Sequence, residues 1–361
     1  MLTFDFMEIY NLVSQYSPEK LVFGIDEETG LKSIICIDST KLGPASGGLR
    51  IVSYKSEKDA LKDALRLSKA MTYKAAMANL PLGGGKAVII AEPSQKEPAL
   101  LHSFGNFLNQ LEGQFIAGPD VGVNENDLKT IQQTSKYIVG ITKSMMSTVH
   151  QQNNTAHMAG LGVYLGMKAC VEALWGTSNL KGRTVAIQGF GKVAKRVARL
   201  LHWELANVWV TDIKDEEVKE AERLGYHTIS ADMSHTIYDM QCDIFCPCAL
   251  GGILNENTIN RLKCEIVAGS ANNQLESDQC GELLHKKNIL YAPDYLINAG
   301  GLMLVATEIL KNYSYDMALA STENIFDTMN TVIQKSKEMN MSTNKTANLI
   351  VEDRLLNKIK L

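Results

Sequence analysis

The pattern of apolar and polar residues changes its period near residue 150 of this chain. Before that point, residues 31–37 alternate as in a β-strand, and residues 87–90 form a short apolar run typical of a buried strand. Residues 56–78 repeat apolar positions at helical spacing, with Ser56 as the N-cap and Asp59 three residues later, a variant of the capping box. The first part of the chain is therefore predicted to mix short strands with a long helix.

After residue 150, apolar strands alternate regularly with helices. Predicted strands cover 184–188, 208–211, 243–245, 266–268 and 289–292, and predicted helices cover 193–205 and 216–224. A long helix is predicted after residue 301, and the tail from about residue 321 is predicted to be helical. This alternation predicts a parallel, doubly wound sheet, so the expected fold class is α/β.

Composition narrows the class of protein. The 361 residues suffice for two domains with cores of their own, and 45% hydrophobic with 21% charged residues is ordinary for a globular protein. The net charge of −4 gives no electrostatic reason to expect a nucleic acid or an anionic membrane as partner. No apolar run approaches the roughly 18 residues of a membrane span, and the first residues lack the basic region of a secretory signal.

Cysteine usage favours a reducing compartment. Seven cysteines is an odd number in a chain too large to need disulfides, which predicts a cytoplasmic location. Cys242, Cys246 and Cys248 lie close together but lack a pair at the spacing of zinc ligands. They flank an apolar run, and we interpret them as buried reduced thiols, so no metal site is predicted.

Lys86 is the first candidate catalytic residue. It directly follows three glycines, Gly83 to Gly85. The glycines predict a flexible loop that meets the strand at 87–90 and lets a substrate approach the backbone. A lysine desolvated at such a place loses its charge readily and can act as a base near neutral pH. A phosphate-binding loop would need a different glycine spacing and a following Ser or Thr. A surface turn with a solvated lysine is the remaining alternative.

A second glycine turn has the spacing of a dinucleotide-binding site. Gly189, Gly191 and Ala194 form the alanine variant of the Gly-x-Gly-x-x-Gly motif, between the predicted strand 184–188 and a helix. Gly189 permits the turn, and Gly191 lets backbone amides approach a pyrophosphate at the helix N-terminus. Asp212 ends the next strand, at the interval expected for an acid that binds the adenosine ribose. This carboxylate favours NAD over NADP, whose 2′-phosphate it would repel.

Four further segments accompany these two motifs. They are residues 43–50, 71–74, 118–122 and 269–275. Together with the glycine run before Lys86 and the segment 298–301, they resemble the Glu/Leu/Phe/Val dehydrogenase family of NAD(P)-dependent amino-acid dehydrogenases, in order and spacing, from about residue 44 to residue 305. Segments 246–255 and 291–295 are most similar to the leucine, phenylalanine and tryptophan dehydrogenases of that family.

The resemblance implies a role for each motif residue. Lys74 would pair with the α-carboxylate of the substrate, Lys86 would be the general base, and Asp120 would carry protons to and from the carbinolamine intermediate. Asn272 would bond the same carboxylate, and two lysines in a dry site would depress each other's pKa. The residues expected around the cofactor are Gly189, Phe190, Gly191, Lys192, Val193, Ala194, Asp212, Ile213, Ala249, Ala271 and Asn298.

Each of these assignments has a structural alternative when it is taken singly. Lys74 lies on the apolar face of the predicted helix and is equally well explained as a lysine that extends to the surface. Asp120 follows Gly118 and Pro119 in an ordinary turn context, and Asn272 is explained equally well as a turn residue. The family requires all of these residues together, and all are present.

The resemblance implies that small and apolar residues surround the side chain of the substrate. These residues are Ser46, Gly47, Met71, Gly118, Leu302 and Val305. Glutamate-specific members carry a lysine at the position of Ser46, so its absence argues against glutamate as substrate. Ser46 and Gly118 leave room for a larger apolar or aromatic side chain. The choice among leucine, phenylalanine and tryptophan stays open.

The chain departs from the family's pattern at two places. Members carry a Pro-x-Thr segment before the helix that contains residues 162–167, and its threonine helps to hold the nicotinamide carboxamide. Ala159 stands at that position here. Thr155 lies four residues earlier, and a rearranged loop would be needed to bring it or His157 into reach. Val139 stands where leucine dehydrogenases have a threonine, an apolar choice that the tryptophan type shares.

The sequence therefore predicts an NAD-dependent dehydrogenase that converts an apolar or aromatic L-amino acid reversibly to the 2-oxo acid and ammonia. Residues 1–145 would form the substrate-binding and oligomerisation domain and 146–324 the NAD-binding Rossmann domain, with a cleft between them. The helices of 325–361 would pack back near the interdomain region. The family implies a homo-oligomer, a dimer or larger. Two alternatives are a catalytically weak NAD-binding homologue that acts as an amino-acid sensor or pathway accessory, and a different Rossmann oxidoreductase such as a folate dehydrogenase.

Overall fold

Two units make up the chain, and each is built around its own β-sheet. The computed structural model describes residues 6–94, 96–141 and 155–357. Among these, unit 1 comprises the residues up to 141 together with Glu308–Lys311, and unit 2 comprises 155–307 and 312–357. Both units combine helices with a sheet, which confirms the predicted two-domain α/β class.

A mixed sheet forms the centre of unit 1. Its strands are β1 Lys20–Asp26, β2 Leu31–Ser39, β3 Ala45–Val52, β4 Gly83–Ile90 and β5 Phe115–Pro119. Within the described residues their order is β1-β2-β4-β3-β5. β2 is antiparallel to both of its neighbours, whereas β3 is parallel to β4 and β5. The three parallel strands therefore end at the same edge of the sheet.

Helices cover both faces of this sheet. They are α1 Phe6–Tyr16, α2 Glu57–Met77, α3 Pro98–Asn109 and α4 Glu125–Gln132. On one face α2 packs on β2 and β4. On the other, α3 and α4 contribute Phe104 and Ile131 to the core. Ser56 caps α2 as predicted, because its side chain accepts a hydrogen bond from the amide of Asp59 at 3.1 Å.

The prediction of a loop at the three glycines before Lys86 is wrong, since these glycines form the start of β4. A Cβ atom added at Gly84 would collide with the backbone of Thr72 on α2. One added at Gly85 would lie 2.6 Å from the ring of Phe115. Glycine is required here because α2 and the neighbouring strands approach β4 too closely for a side chain.

A parallel sheet forms the centre of unit 2. Its strands are β6 Thr184–Gln188, β7 Asn207–Thr211, β8 His227–Ile229, β9 Ile244–Pro247, β10 Ile266–Val267 and β11 Leu290–Tyr291. Their order in the described residues is β11-β10-β9-β6-β7-β8, and each pairing between them is parallel. The strand order reverses between β9 and β6, which is the doubly wound arrangement that binds dinucleotides at the reversal. The predicted strands after residue 150 all appear within two residues of their expected bounds.

The helices of unit 2 surround this sheet. They are α5 Thr155–Trp175, α6 Lys192–Trp203, α7 Asp215–Arg223, α8 Glu256–Arg261, α9 Asp278–Lys286, α10 Asp294–Ile297, α11 Gly300–Ile309, α12 Tyr315–Glu323, α13 Ile325–Met339 and α14 Thr343–Asn357, with a 3₁₀ helix at Ala231–Asp239. α13 packs on α5, and α14 packs on α9 and α13. Across the described ranges, no helix has both the length and the apolarity needed to cross a membrane.

Candidate active site

Lys86 lies within β4 and has 5% of its surface exposed. Its ammonium group forms an ion pair with Oδ2 of Asp120, which directly follows β5. The two residues therefore come from the strands on either side of β3. The alternative of a solvated lysine in a surface turn is wrong.

Gly48 on β3 lies beneath this ion pair. A Cβ atom added at Gly48 would be 2.9 Å from Nζ of Lys86 and 2.7 Å from Cβ of Asp120. Both separations are shorter than a Cβ atom tolerates. The ion pair therefore depends on a residue without a side chain in the middle strand of the three.

The backbone after Asp120 is held by two contacts. The amide of Ile51 donates a hydrogen bond to the carbonyl of Val121 at 3.0 Å. The ammonium group of Lys96 donates to the carbonyl of Gly122 at 2.7 Å. The amide of Val123 donates to the carbonyl of Asp120 at 3.1 Å, so Asp120 begins a turn, as the structural alternative supposed. Its carboxylate nevertheless forms an ion pair with Lys86, and a role as a turn residue alone does not require such an ion pair.

Arg50 on β3 completes a charged cluster that the sequence analysis did not identify. Its Nε donates to Oδ2 of Asp120 at 3.0 Å, and its Nη1 donates to Oδ2 of Asp63 on α2 at 2.7 Å. Asp63 also accepts hydrogen bonds from the hydroxyl of Tyr54 at 2.8 Å and from Arg66 at 3.1 Å. The signal in the sequence was a charged residue in the otherwise uncharged strand ASGGLRIV.

Burial and the neighbouring charges shift the pKa of both members of the ion pair. Burial is the largest cause for Lys86 and lowers its pKa, the charge of Arg50 acts in the same direction, and the opposing effect of Asp120 does not outweigh them. For Asp120, burial raises the pKa, but the charges of Lys86 and Arg50 outweigh it and hold the pKa below its usual value. A lysine with a lowered pKa beside an ionised carboxylate is suited to proton transfer.

Three residues of the expected substrate site lie on adjacent strands of unit 1. Ser46 and Gly47 lie on β3, where Ser46 is buried, and Gly118 lies on β5 opposite Gly48. A Cβ atom added at Gly118 would lie 3.6 Å from a methyl group of Val139. The other two atoms nearest to this position are the backbone carbonyl oxygens of Val139 and Gly47, so Gly118 is next to an apolar side chain and to backbone.

The other expected substrate residues lie on helices. Met71 and Lys74 are half-buried on α2, and Leu302 and Val305 lie on α11, where Leu302 is buried and Val305 half-buried. Both pairs have a spacing of three residues, which keeps their members on one helix face. Their roles in substrate binding stay predictions.

The predicted dinucleotide turn has the geometry that its glycines suggest. Gly189 follows β6 with φ at +88°, and Gly191 is the N-cap of α6. A Cβ atom added at Gly189 would lie 2.8 Å from that of Ala249, whereas one added at Gly191 would meet nothing within 4 Å. This open backbone before a helix N-terminus fits a pyrophosphate group. The first turn of α6 consists of the expected cofactor residues Lys192, Val193 and Ala194.

Asp212 follows β7 and contacts the same turn. Its Oδ2 accepts a hydrogen bond from the amide of Phe190 at 2.7 Å, and its Oδ1 accepts one from the amide of Lys214 at 3.0 Å. The side chain of Phe190 is buried, whereas Ile213 is exposed. Asp212 thus lies at the carboxyl end of its strand beside the glycine turn, the position of the ribose-binding acid in doubly wound sheets.

Asn298 and Asn272 form a hydrogen-bonded pair in unit 2. Nδ2 of Asn298 donates to Oδ1 of Asn272 at 2.9 Å and to the carbonyl of Ser270 at 3.1 Å. Ala271, between these two acceptors in sequence, is buried. Asn298 is 3% exposed, yet its Oδ1 has no hydrogen-bond partner among the described residues. A buried acceptor of this kind fits an amide donor such as the nicotinamide carboxamide.

The segment that departs from the family's pattern begins α5, and its residues 151–154 lie outside the described residues. Thr155 and Ala159 are one helical turn apart and both face Gly301. A Cβ atom added at Gly301 would lie 3.7 Å from Cβ of Thr155 and 3.8 Å from Cβ of Ala159. Burial and two arginines of α6 lower the pKa of His157 to about 4, so its imidazole is neutral at physiological pH.

The cysteines of the chain are free thiols. Cys242 and Cys246 are buried, Cys248 is half-buried, and the sulfur atoms of Cys246 and Cys248 lie 3.5 Å apart. In the part of the chain that the structure describes, no group of three or more His, Cys, Asp or Glu side chains is arranged to hold a metal ion.

Both units match known protein families. Residues 20–142 match the family described as Glu/Leu/Phe/Val dehydrogenase, dimerisation domain. Residues 209–359 match the family described as Glutamate/Leucine/Phenylalanine/Valine dehydrogenase. The first match contains Lys86 and Asp120, and the second contains Asp212 and the Asn272–Asn298 pair.

Three relatives extend over nearly the whole chain. L-tryptophan dehydrogenase of Nostoc punctiforme is 44% identical over 352 residues, which cover 97% of each chain. Leucine dehydrogenase of Thermoactinomyces intermedius is 43% identical over 351 residues, 97% of this chain and 94% of that one. Phenylalanine dehydrogenase of Caldalkalibacillus thermarum strain TA2.A1 is 43% identical over 349 residues, 95% of this chain and 92% of that one.

A solved structure has the same fold. The crystal structure of L-tryptophan dehydrogenase from Nostoc punctiforme aligns with a TM-score of 0.82 at 43% identity, and the alignment covers 97% of this chain and 99% of that one. The similarity in sequence therefore extends to the arrangement of the backbone.

Proposed function

The chain belongs to the Glu/Leu/Phe/Val dehydrogenase family, and from this premise we infer that it is an NAD-dependent dehydrogenase of apolar or aromatic L-amino acids. The proposed reaction converts the amino acid, NAD⁺ and water to the 2-oxo acid, ammonium, NADH and a proton, and it is reversible. The observation that carries this proposal is the buried ion pair of Lys86 and Asp120, in which the pKa of the lysine is lowered.

In the proposed mechanism, the two residues of this ion pair carry out the proton transfers. Neutral Lys86 takes a proton from the substrate amino group or from the attacking water, and its lowered pKa supports this role because more of the neutral form is present. Asp120 carries protons to and from the carbinolamine formed on the substrate. Lys74 and Asn272 bind the substrate carboxylate. When bound, the nicotinamide supplies the hydride-transfer chemistry at Cα of the substrate.

The proposed cofactor is NAD, held by unit 2. The open backbone at Gly191 supports pyrophosphate binding, and the carboxylate of Asp212 beside the turn supports NAD over NADP because it would repel a 2′-phosphate. The unpaired acceptor of Asn298 supports a role in holding the nicotinamide carboxamide. Family membership requires a nicotinamide cofactor, and the choice of NAD is part of the proposal.

The proposed substrate has an apolar or aromatic side chain. Ser46 and Gly118 are small, and Val139 next to Gly118 is apolar, which supports a side chain without charge. The related enzymes named above act on tryptophan, leucine and phenylalanine. We place glutamate outside the range of substrates because Ser46 provides no positive charge for a distal carboxylate.

We further propose that the chain works as a homo-oligomer in the cytoplasm. The family of residues 20–142 is described as a dimerisation domain, and the free thiols are typical of a reducing compartment. In this proposal residues 1–145 form the substrate-binding and oligomerisation domain, and residues 146–324 form the NAD-binding domain, which also contributes Asn272 to substrate binding.

A substrate panel tests the proposal. NADH formation by the purified chain is followed at mildly alkaline pH with leucine, valine, phenylalanine, tryptophan and glutamate, each with NAD and with NADP. Turnover of an apolar or aromatic substrate with NAD is the expected result. Turnover of glutamate alone would contradict it. No turnover on any of the five, with NAD binding intact by calorimetry, would favour a catalytically weak NAD-binding sensor.

A further inference from the structure

Arg50 lies at the end of the segment 43–50, but the family resemblance assigns it no catalytic or binding role, and it contacts Asp120 directly. We propose that Arg50 is a positioning residue for proton transfer: it fixes the carboxylate of Asp120, and its permanent charge favours the state in which Lys86 is neutral and Asp120 ionised. This inference rests on the proposed function and goes beyond it, because it names what keeps the ion pair ready to react.

The guanidinium group of Arg50 bridges two carboxylates from different elements. Nε binds Asp120 at 3.0 Å and Nη1 binds Asp63 at 2.7 Å. The side chain of Arg50 is 22% exposed, and those of Asp63 and Asp120 are 15% and 21% exposed. These charges are largely shielded from water, which strengthens their interaction. The planar fork of arginine can hold both partners in fixed directions, whereas a lysine ammonium is a single point of charge.

Asp63 is itself held in place, so Arg50 has a firm anchor on α2. The hydroxyl of Tyr54 donates to Asp63 at 2.8 Å, and Arg66 donates to it at 3.1 Å. The contacts therefore run from α2 through Asp63 and Arg50 to Asp120. A carboxylate anchored in this way keeps its position when its ion pair with Lys86 is broken.

The charge of Arg50 matters most at the moment when Lys86 is neutral. Asp120 then loses its ammonium partner, and a buried carboxylate without a cation is costly. Arg50 removes this cost because its guanidinium group keeps its charge at any working pH. Its charge also lowers the pKa of Lys86 and of Asp120, while the negative charge of Asp63 acts on Lys86 in the opposite direction.

The test compares three substitutions by kcat, KM and the pH dependence of kcat/KM. Arg50→Gln is expected to lower kcat by about 100-fold through the loss of positioning, with a smaller change in the KM of the amino acid. The rising limb of its pH profile should move to higher pH, because the like charge next to Lys86 is gone. Arg50→Lys should restore the position of the limb but not the full kcat. Arg66→Gln removes a cation whose ion pair is with Asp63, and it should move the limb much less.

Asp63→Asn gives a second test with the opposite sign. It removes a negative charge that acts on Lys86, so the rising limb should move to lower pH while kcat falls with the loss of the anchor. This variant also keeps the proposal testable if Arg50→Gln does not fold. A limb that stays in place in both variants, or one that moves as far in Arg66→Gln as in Arg50→Gln, would overturn the proposal and leave Arg50 a structural residue.

A measurement without turnover separates this inference from the proposed function. Acetylation of Lys86 by acetic anhydride, followed by mass spectrometry across pH, reports how much neutral lysine is present. The labelling curve of Arg50→Gln should lie at higher pH than that of the unaltered chain. If no substrate turns over, the proposed function fails and the labelling still decides the inference. If turnover is normal and the two labelling curves coincide, the inference fails and the function stands.

Discussion

Lys86 and Asp120 form their ion pair across an intervening strand. Lys86 belongs to β4 and Asp120 follows β5, and both strands flank β3, whose Gly48 lies beneath the pair. The partners are 34 residues apart in sequence. Three parallel strands thus bring together a lysine, a carboxylate and a glycine that leaves room for both side chains.

Replacing Gly48 by alanine should separate this pair. The added methyl group would lie 2.9 Å from Nζ of Lys86 and 2.7 Å from Cβ of Asp120, so one of them must move. We expect kcat to fall by about 100-fold and the free energy of unfolding to fall by about 1–3 kcal/mol. Steady-state kinetics and urea unfolding measure the two effects.

Gly118→Ala is the matched control for this substitution. It adds the same methyl group on the adjacent strand, where the nearest atom belongs to Val139 at an ordinary 3.6 Å. Its unfolding midpoint should stay close to that of the unaltered chain, and its effect should appear in substrate preference. Equal loss of stability in both variants would contradict the explanation that the methyl group at position 48 pushes Lys86 and Asp120 apart.

Replacing Lys86 by alanine should abolish turnover while NAD binding persists. General acid–base catalysis by a positioned group is worth about 10²–10⁴-fold, so kcat should fall by at least that range. NADH formation and calorimetry with NAD provide the two readings. Lys129→Ala, on a half-exposed lysine paired with Glu125, should leave both unchanged. Unaltered turnover in Lys86→Ala would exclude Lys86 as the base.

The deamination rate should rise with pH through a limb set by Lys86. The neutral lysine is the active form, and burial lowers its pKa below the 10.5 of an ordinary lysine. The rate should therefore increase as the pH passes through this lowered pKa, so the midpoint of the rising limb should lie below the pKa of an ordinary lysine. The measurement is log kcat/KM against pH with a saturating concentration of NAD. A limb centred above the ordinary pKa would show that the lysine is not desolvated during catalysis.

Asp212 should control the choice between NAD and NADP. Asp212→Ser removes the carboxylate beside the turn, so the ratio of kcat/KM for NAD to that for NADP should fall by about 10–100-fold, the equivalent of about 1.4–2.7 kcal/mol. The exposed Asp215, in the first turn of α7, supplies the control substitution Asp215→Ser. If the ratio changes equally in both variants, the effect is one of general surface charge.

Thr155 should take over the role of the missing threonine at Ala159. The two residues face the same glycine from successive turns of α5, so we expect a hydroxyl at 155 to project from the same helix face as residue 159. Thr155→Ala should raise the KM for NAD by about 10-fold, the value of one lost hydrogen bond. The double substitution Thr155→Ala with Ala159→Thr should recover most of this loss. A KM that does not respond to Thr155→Ala would show that no hydroxyl is needed.

The sequence predicted the strands β6, β7, β9, β10 and β11 and the helices α6 and α7 of unit 2 because each is specified locally, but it did not predict the short strand β8. Apolar runs of strand length, the glycine turn at Gly189 and the helix pattern after it all depend on neighbours in sequence. The same holds for Ser56, whose capping of α2 needs only the amide three residues later. The strand β3 was not predicted, because its two glycines and its arginine depart from the composition of a typical strand.

By itself, the sequence determined the doubly wound sheet and the glycine turn at Gly189, and it singled out Lys86 as a candidate base, since motif spacing and period are local properties of a chain. Only the tertiary structure decided that the glycines before Lys86 belong to a strand, because the packing of α2 and Phe115 against them acts at long range. It also decided that Arg50 joins Asp120 to Asp63, although Arg50 and Asp120 are 70 residues apart. Contacts between residues so far apart in sequence depend on which strands lie next to one another in the sheet. Local sequence patterns do not specify that arrangement.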